Sequence, residues 1–212
     1  MKLTAIIFDM DGVIVDSEPL HERAFREVFE ELGYAHNHGV EFSAYYGKSD
    51  LVLWKDFVAR HRPAQTLEEL LALKEGRFSA LLDAEEPIFA GLPELLEKTG
   101  ARYTLGLASG SRHATIQSVL RLRNLRRHFK AIVSSEDVKH GKPAPDVFLR
   151  TAELLGVAPA DCWVIEDSAA GVEGALAAGM RVVAITNTLP ADKLSRAHHV
   201  VGTYAEIEAI VL

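Results

Sequence analysis

Short apolar runs rich in β-branched residues recur along the chain at Thr4–Phe8, Thr104–Ala108, Ala131–Val133, Trp163–Ile165, Val182–Ile185 and His198–Val201. The segments between them mostly carry apolar residues at helical spacing, so the pattern alternates strand with helix. Alternation of this kind predicts an α/β chain whose parallel sheet is covered on both faces.

One interval breaks the rhythm. From Ser17 to Glu86 no strand pattern stands out, and the apolar positions fall on helical faces: Ala24, Phe25, Val28, Phe29 and Leu32 within His21–Leu32, then Leu67, Leu70, Leu71, Leu73, Phe78, Leu81 and Leu82 within Thr66–Leu82. Gly33 is placed to end the first of these helices, and Thr66-Leu67-Glu68-Glu69 has the capping-box form that starts the second. The expected division is therefore a core made of residues 1–16 and 87–212, with a helical insertion at 17–86 directly after the first strand.

Composition adds little beyond exclusions. With 212 residues, 48% hydrophobic and 25% charged, the chain can build one sizeable core plus an insertion. No apolar run approaches the roughly 20 residues of a membrane span and no signal-peptide pattern is visible, so the expectation is a cytoplasmic protein with no membrane partner. The net charge of −7 gives no electrostatic reason to expect nucleic acid, although a positive pocket can lie within an acidic surface. Cys162 sits in the apolar run Cys162-Trp163-Val164-Ile165 and reads as a buried strand residue without chemistry.

The polar residues collect where strands end. Ile6-Ile7-Phe8-Asp9-Met10-Asp11-Gly12 drives an apolar strand into two carboxylates at i and i+2, which extended backbone would turn to one side. Two like charges about 4 Å apart cost on the order of 4 kcal/mol at an effective dielectric of about 20, so the pair calls for a cation, a shared proton, or both. A second strand runs into Ala108-Ser109-Gly110-Ser111 ahead of a helical pattern, where hydroxyl and backbone N–H groups at a helix start would suit a phosphate or simply cap the helix. Another ends in Glu166-Asp167, adjacent acids that favour an all-oxygen metal site of the Mg2+ type. Lys142, followed by Pro143 and Pro145, would be presented from a stiff loop. In open parallel sheets ligands sit beyond the carboxyl ends of the strands, where all four segments can meet. His36 with His38 and His198 with His199 lack nearby metal-ligand partners and read as loop or surface residues, whereas His21 lies just past the Asp-x-Asp segment.

Asp9-Met10-Asp11-Gly12, Ser109, Lys142 and Glu166-Asp167, in that order, resemble the four motifs of the haloacid dehalogenase-like superfamily. The inserted helices are similar to the small cap of the subgroup containing β-phosphoglucomutase, phosphoglycolate phosphatase and several sugar phosphatases. The resemblance implies a Rossmann-like three-layer parallel-sheet core with an α-helical cap inserted after the first strand. It implies Asp9 as a nucleophile forming an aspartyl-phosphate and Asp11 as general acid and then base. It implies Mg2+ held by the Asp9 carboxylate, the Asp11 carbonyl and Asp167 with Glu166 close by, and phosphoryl oxygens held by Ser109, the Gly110 amide and Lys142. With Asp11 protonated, three acids are balanced by Mg2+ and Lys142, so a phosphate dianion can enter.

Within that resemblance a hydrolase and a mutase differ at the cap. Tyr45-Tyr46-Gly47-Lys48-Ser49-Asp50 is similar to the mutase's substrate loop, but Tyr46 and Asp50 stand where the resemblance implies Lys and Arg. Lys48, His21 and Lys74 remain as cap residues that could hold substrate, and Tyr45, Tyr46 and Trp54 as residues that would shape its pocket. The expectation is a monomeric Mg2+-dependent phosphatase acting on a small sugar-like or polyol phosphate, with hinges near Asp16 and Ile88 that let the cap close. A β-phosphoglucomutase-type enzyme is the alternative, and a receiver-like phospho-switch the non-enzymatic one.

Overall fold

The computed structural model describes residues 3–45 and 49–212. The chain divides into two compact units, one formed by Met1–Asp16 with Ile88–Leu212 and the other by Ser17–Pro87. The second unit follows β1 (Ala5–Phe8) and contains α1 (Glu18–Glu31), α2 (Asp50–His61) and α3 (Leu67–Glu85). The first unit continues with α4 (Leu92–Gly100), β2 (Thr104–Ala108), α5 (His113–Arg121), β3 (Ala131–Val133), α6 (Asp146–Leu155), β4 (Cys162–Glu166), α7 (Ala169–Ala177), β5 (Arg181–Ile185), β6 (His199–Val201) and α8 (Tyr204–Val211).

All six strands are parallel in the order β3-β2-β1-β4-β5-β6. Their near-continuous apolar sequences suit a sheet buried on both faces: Ala5, Ile6, Ile7 and Phe8 have no solvent exposure. Ala5 and Ile7 pack with Val147 and Phe148 of α6 and Val172 of α7. The alternate residue Phe8 turns the other way and meets Phe129 edge to face at 6.1 Å. This is an α/β core with helices over a parallel sheet and a helical cap inserted after the first strand. Cys162 is buried in β4, in keeping with its apolar neighbours.

Register places the chemistry. Phe8 pairs with Leu107 on one side and Ile165 on the other, so the next residues, Asp9, Ala108 and Glu166, stand at one level where the strands end. The strand order reverses between β1 and β4, and a crevice outside the strand ends is the topological consequence.

The cap unit packs its own aromatic core. Phe25, Val28 and Phe29 of α1 meet Leu53, Trp54 and Phe57 of α2 and Leu70 of α3. The Thr66 side chain accepts from the Glu69 N–H while the Glu69 carboxylate receives the Thr66 N–H, a complete capping box at the start of α3. Trp54 is wholly buried in this core, so it does not line a substrate pocket as its sequence neighbourhood suggested. Tyr46 and Lys48 lie outside the described residues. Among the described residues no helix is long and apolar enough to cross a membrane.

Candidate active site

Asp9 is the first residue past β1, and its N–H donates to the Ile165 carbonyl at 2.9 Å, which carries the strand ladder up to the site. The chain then turns tightly. The Val13, Ile14 and Val15 N–H groups all approach the Met10 carbonyl, and Gly12 takes φ +74. A Cβ on Gly12 would stand 1.8 Å from Asp167 Oδ2, so glycine is required both for the turn and for the carboxylate beside it. Because β1 stops at Phe8, the two acids are not presented from extended backbone. Asp9 exits the strand while Asp11 sits in the turn, and their carboxylates find different partners.

The Lys142 ammonium lies 2.6 Å from Asp9 Oδ1 and 2.5 Å from Glu166 Oε1. Asp11 Oδ2 instead accepts from the Ser111 hydroxyl at 2.7 Å. Glu166 has no solvent exposure, and its second oxygen, Oε2, accepts from the Asp167 N–H, the Ser168 N–H and the Ser168 hydroxyl, each at 2.9 Å.

Charge explains the rest. Burial pushes Asp9 up to about 7, with Glu166 and Asp11 adding to the rise and Lys142 opposing it. Burial beside Glu166 and Asp9 also holds Asp167 well above the usual carboxylate range, against a hydrogen bond from Thr188 and the charge of Lys142. Burial alone would lower Lys142, but Asp9 and Glu166 outweigh it and hold the ammonium protonated.

Asp9, Glu166 and Asp167 each bring a carboxylate oxygen within 4.8 Å of the others. Two buried acids that resist ionisation, in an all-oxygen set, fit a hard divalent cation. Glu166 already meets Lys142 and three other donors, so Asp9 and Asp167 are the less committed of the three carboxylates that could hold such a cation.

Ser109 is fully buried, and its hydroxyl accepts the Ser111 N–H at 2.9 Å. Gly110 is exposed, with open space on its side-chain face. The start of α5 does not offer itself to a ligand in the way the sequence suggested. The His113 N–H there donates to Glu136 Oε2 at 2.8 Å, so a distant carboxylate occupies the helix end.

In the cap unit, Lys74 and His21 are brought together. The Lys74 ammonium donates to His21 Nδ1 and to Asp50 Oδ2, the latter at 2.6 Å. Sequence reasoning named Ser111 without its bond to Asp11, and gave no role to Gly171, Thr188, Asn187 or Tyr204. Asn187 Nδ2 donates to the Gly12 carbonyl at 2.7 Å and the Tyr204 hydroxyl to the Val13 carbonyl at 2.6 Å, bracing the turn from below.

The model of the haloacid dehalogenase-like hydrolase family matches residues 6–185. The chain belongs to the haloacid dehalogenase-like hydrolases. Among its relatives in this family, a fructose-1-phosphate phosphatase of Escherichia coli is 34% identical over 86% of this chain and 96% of its own length. A β-phosphoglucomutase of Bacillus subtilis is 30% identical over 89% of this chain and 85% of its own. In fold, this hydrolase matches the crystal structure of a Clostridium difficile β-phosphoglucomutase with a TM-score of 0.81 at 24% identity, covering 98% and 93% of the two chains.

Proposed function

We propose that the protein is a Mg2+-dependent phosphomonoester hydrolase that acts on a small sugar-like or polyol phosphate through an aspartyl-phosphate on Asp9. The observation that carries the reading is the separation of roles between Asp9 and Asp11: one carboxylate is paired with Lys142 and the other with a neutral hydroxyl. Unequal surroundings let one acid attack while its neighbour holds a proton.

Asp9 forms the new O–P bond as the bond from phosphorus to the substrate's ester oxygen breaks. Asp11, oriented by Ser111, gives its proton to that departing oxygen. In the second half, Asp11 takes a proton from water as the water oxygen attacks phosphorus and the Asp9 carboxylate leaves, releasing inorganic phosphate. Lys142 and the Gly110 amide hold phosphoryl oxygens, and Ser109 positions Ser111. Mg2+ bound by Asp9, Asp167 and the Asp11 carbonyl would neutralise charge that develops on the phosphoryl oxygens.

The mutase reading rests on relatives such as the Bacillus subtilis enzyme. It requires a cap cation for a second phosphate; Lys74 is already engaged by Asp50, and Lys48, the other candidate, lies outside the described residues. Phosphate release from a panel of phosphomonoesters at millimolar Mg2+ tests the hydrolase, with Asp9→Asn as control. Equal inactivity of wild type and variant contradicts it. Supplying β-glucose 1-phosphate with a bisphosphate primer separates the alternative, because a mutase yields glucose 6-phosphate and a hydrolase free phosphate.

A further inference from the structure

The turn that carries Asp11 is held from outside by two residues that no step of the hydrolysis uses. Gly12 and Val13 follow Asp11 directly, and the wide conformational range of glycine leaves that backbone poorly fixed by itself. Asn187 Nδ2 donates to the Gly12 carbonyl at 2.7 Å and to the Tyr204 hydroxyl at 3.1 Å, and that hydroxyl donates to the Val13 carbonyl at 2.6 Å. A carbonyl can only accept, so the phenol proton points at Val13 and the phenol oxygen accepts from the amide. The orientation of the Asn187 amide follows from these partners. Burial holds the Tyr204 hydroxyl above its usual range, against the bond from Asn187 and with Asp167 and Asp16 adding to the rise, so it keeps its proton.

Both donors sit on anchored backbone. The Thr186 N–H extends the strand ladder to the Val201 carbonyl at 3.0 Å, and the Thr188 side chain bonds to Asp167. Tyr204 opens α8, where Thr203 caps the helix start by accepting the Glu206 N–H and Glu208 pairs with Lys98 of α4 at 2.7 Å. Asn187 is exposed, so its bonds exchange with water and add little to stability, and their effect falls on geometry.

We infer that Asn187 and Tyr204 are positioning residues for proton transfer: by fixing the Gly12 and Val13 carbonyls they hold Asp11 where it gives and takes its proton. The inference rests on the reading of Asp11 as general acid and base. Ser111 orients the carboxyl group of Asp11, and this pair orients the backbone that bears it. A displacement of about 1 Å at such a group can cost about 100-fold in rate.

Asn187→Asp keeps the shape of the side chain and sets an acceptor against the Gly12 carbonyl and the Tyr204 oxygen. We expect kcat on the preferred phosphomonoester to fall by about tenfold or more, with KM within about threefold of the wild type. Tyr204→Phe, which removes only the bond to Val13, should lower kcat by about threefold. In an Asp11→Asn background neither substitution should lower kcat further, whereas a loss of folded protein costs the same fraction in both backgrounds. Wild-type kcat in both variants overturns the inference, as does a loss confined to KM or one of equal size with and without Asp11→Asn. Tyr204→Phe carries the test by itself if Asn187→Asp does not fold. Absence of any phosphomonoesterase activity in the wild type would instead overturn the hydrolase reading, a distinguishable result.

Discussion

The Lys142 ammonium lies 2.5 Å from Glu166 Oε1, joining a loop cation to a carboxylate that has no solvent exposure. Three further donors converge on the other oxygen of Glu166. Glu166 is therefore the residue that ties the Lys142 loop to the end of β4, and Lys142 carries the link on to Asp9.

Removing Glu166 should be costly. Breaking a buried ion pair from one side typically costs about 3–5 kcal/mol, because the remaining charge and its hydrogen-bonding partners are left unsatisfied. Glu166→Ala should lose stability in that range in urea unfolding, while Glu166→Gln, which keeps one acceptor oxygen, should lose less. A change below about 1 kcal/mol in Glu166→Ala would contradict this account.

Gly171 lies in α7, where alanine would ordinarily gain about 1 kcal/mol from helix propensity. Here a Cβ would stand 1.7 Å from Glu166 Oε1. The end of a glutamate side chain can usually yield, but this one is held by Lys142 and three other donors. The clash should win, with Gly171→Ala destabilising by about 1–3 kcal/mol and reducing kcat as Lys142 shifts. A stabilised, fully active Gly171→Ala would show that the carboxylate moves freely.

Ser111 and Asp11 are 100 residues apart in sequence and 2.7 Å apart in space. Asp11→Asn should lower kcat by about 10²–10⁴-fold, the range for a general acid–base group. Ser111→Ala, which removes only the positioning hydroxyl, should lower it by about tenfold with KM little changed. Steady-state kinetics on the preferred phosphomonoester decides; a Ser111→Ala effect confined to KM would place Ser111 on the substrate instead.

Much of the sheet was legible because each strand is a short apolar run buried on both faces, and the cap's last helix because its capping box is local. Convergence of Asp9, Lys142, Glu166 and Asp167 followed from topology, since parallel strands end on one edge. What escaped is long-range and non-periodic. Glu136 reaches the start of α5 from another loop, and Asp50 reaches Lys74 across the cap, neither with a sequence signal. Gly171 reads as an ordinary weak helix residue until the carboxylate above it is seen. Trp54 reads equally well as core or pocket, and only its packing against Phe25, Phe29 and Phe57 decides.

His38 gives the cap a pH dependence. Its ring stacks on Phe29 with centres 4.8 Å apart, and its Nδ1 accepts the Val40 N–H at 3.0 Å, a role open only to the unprotonated nitrogen. Burial, then the charges of Arg26 and His61, hold its pKa below the usual value. The folded state thus binds fewer protons than the unfolded state, and the stability tied to His38 is present above about pH 6.5 and lost as pH falls below it. His38→Asn keeps an acceptor without titrating. The gap in urea midpoint between wild type and this variant should change in the variant's favour from about pH 7.5 to about pH 5.5. A pH-independent gap would remove His38 as the cause.

The central claim is that Asp9 carries the phosphoryl group during turnover. Acid quench of a single turnover with labelled phosphomonoester and Mg2+, followed by proteolysis and mass analysis, tests it most directly. The account predicts a phosphoryl group on the peptide containing Asp9, accumulating further in Asp11→Asn and absent in Asp9→Asn. Phosphate release by Asp9→Asn at the wild-type rate, with no labelled peptide in any form of the protein, would contradict it.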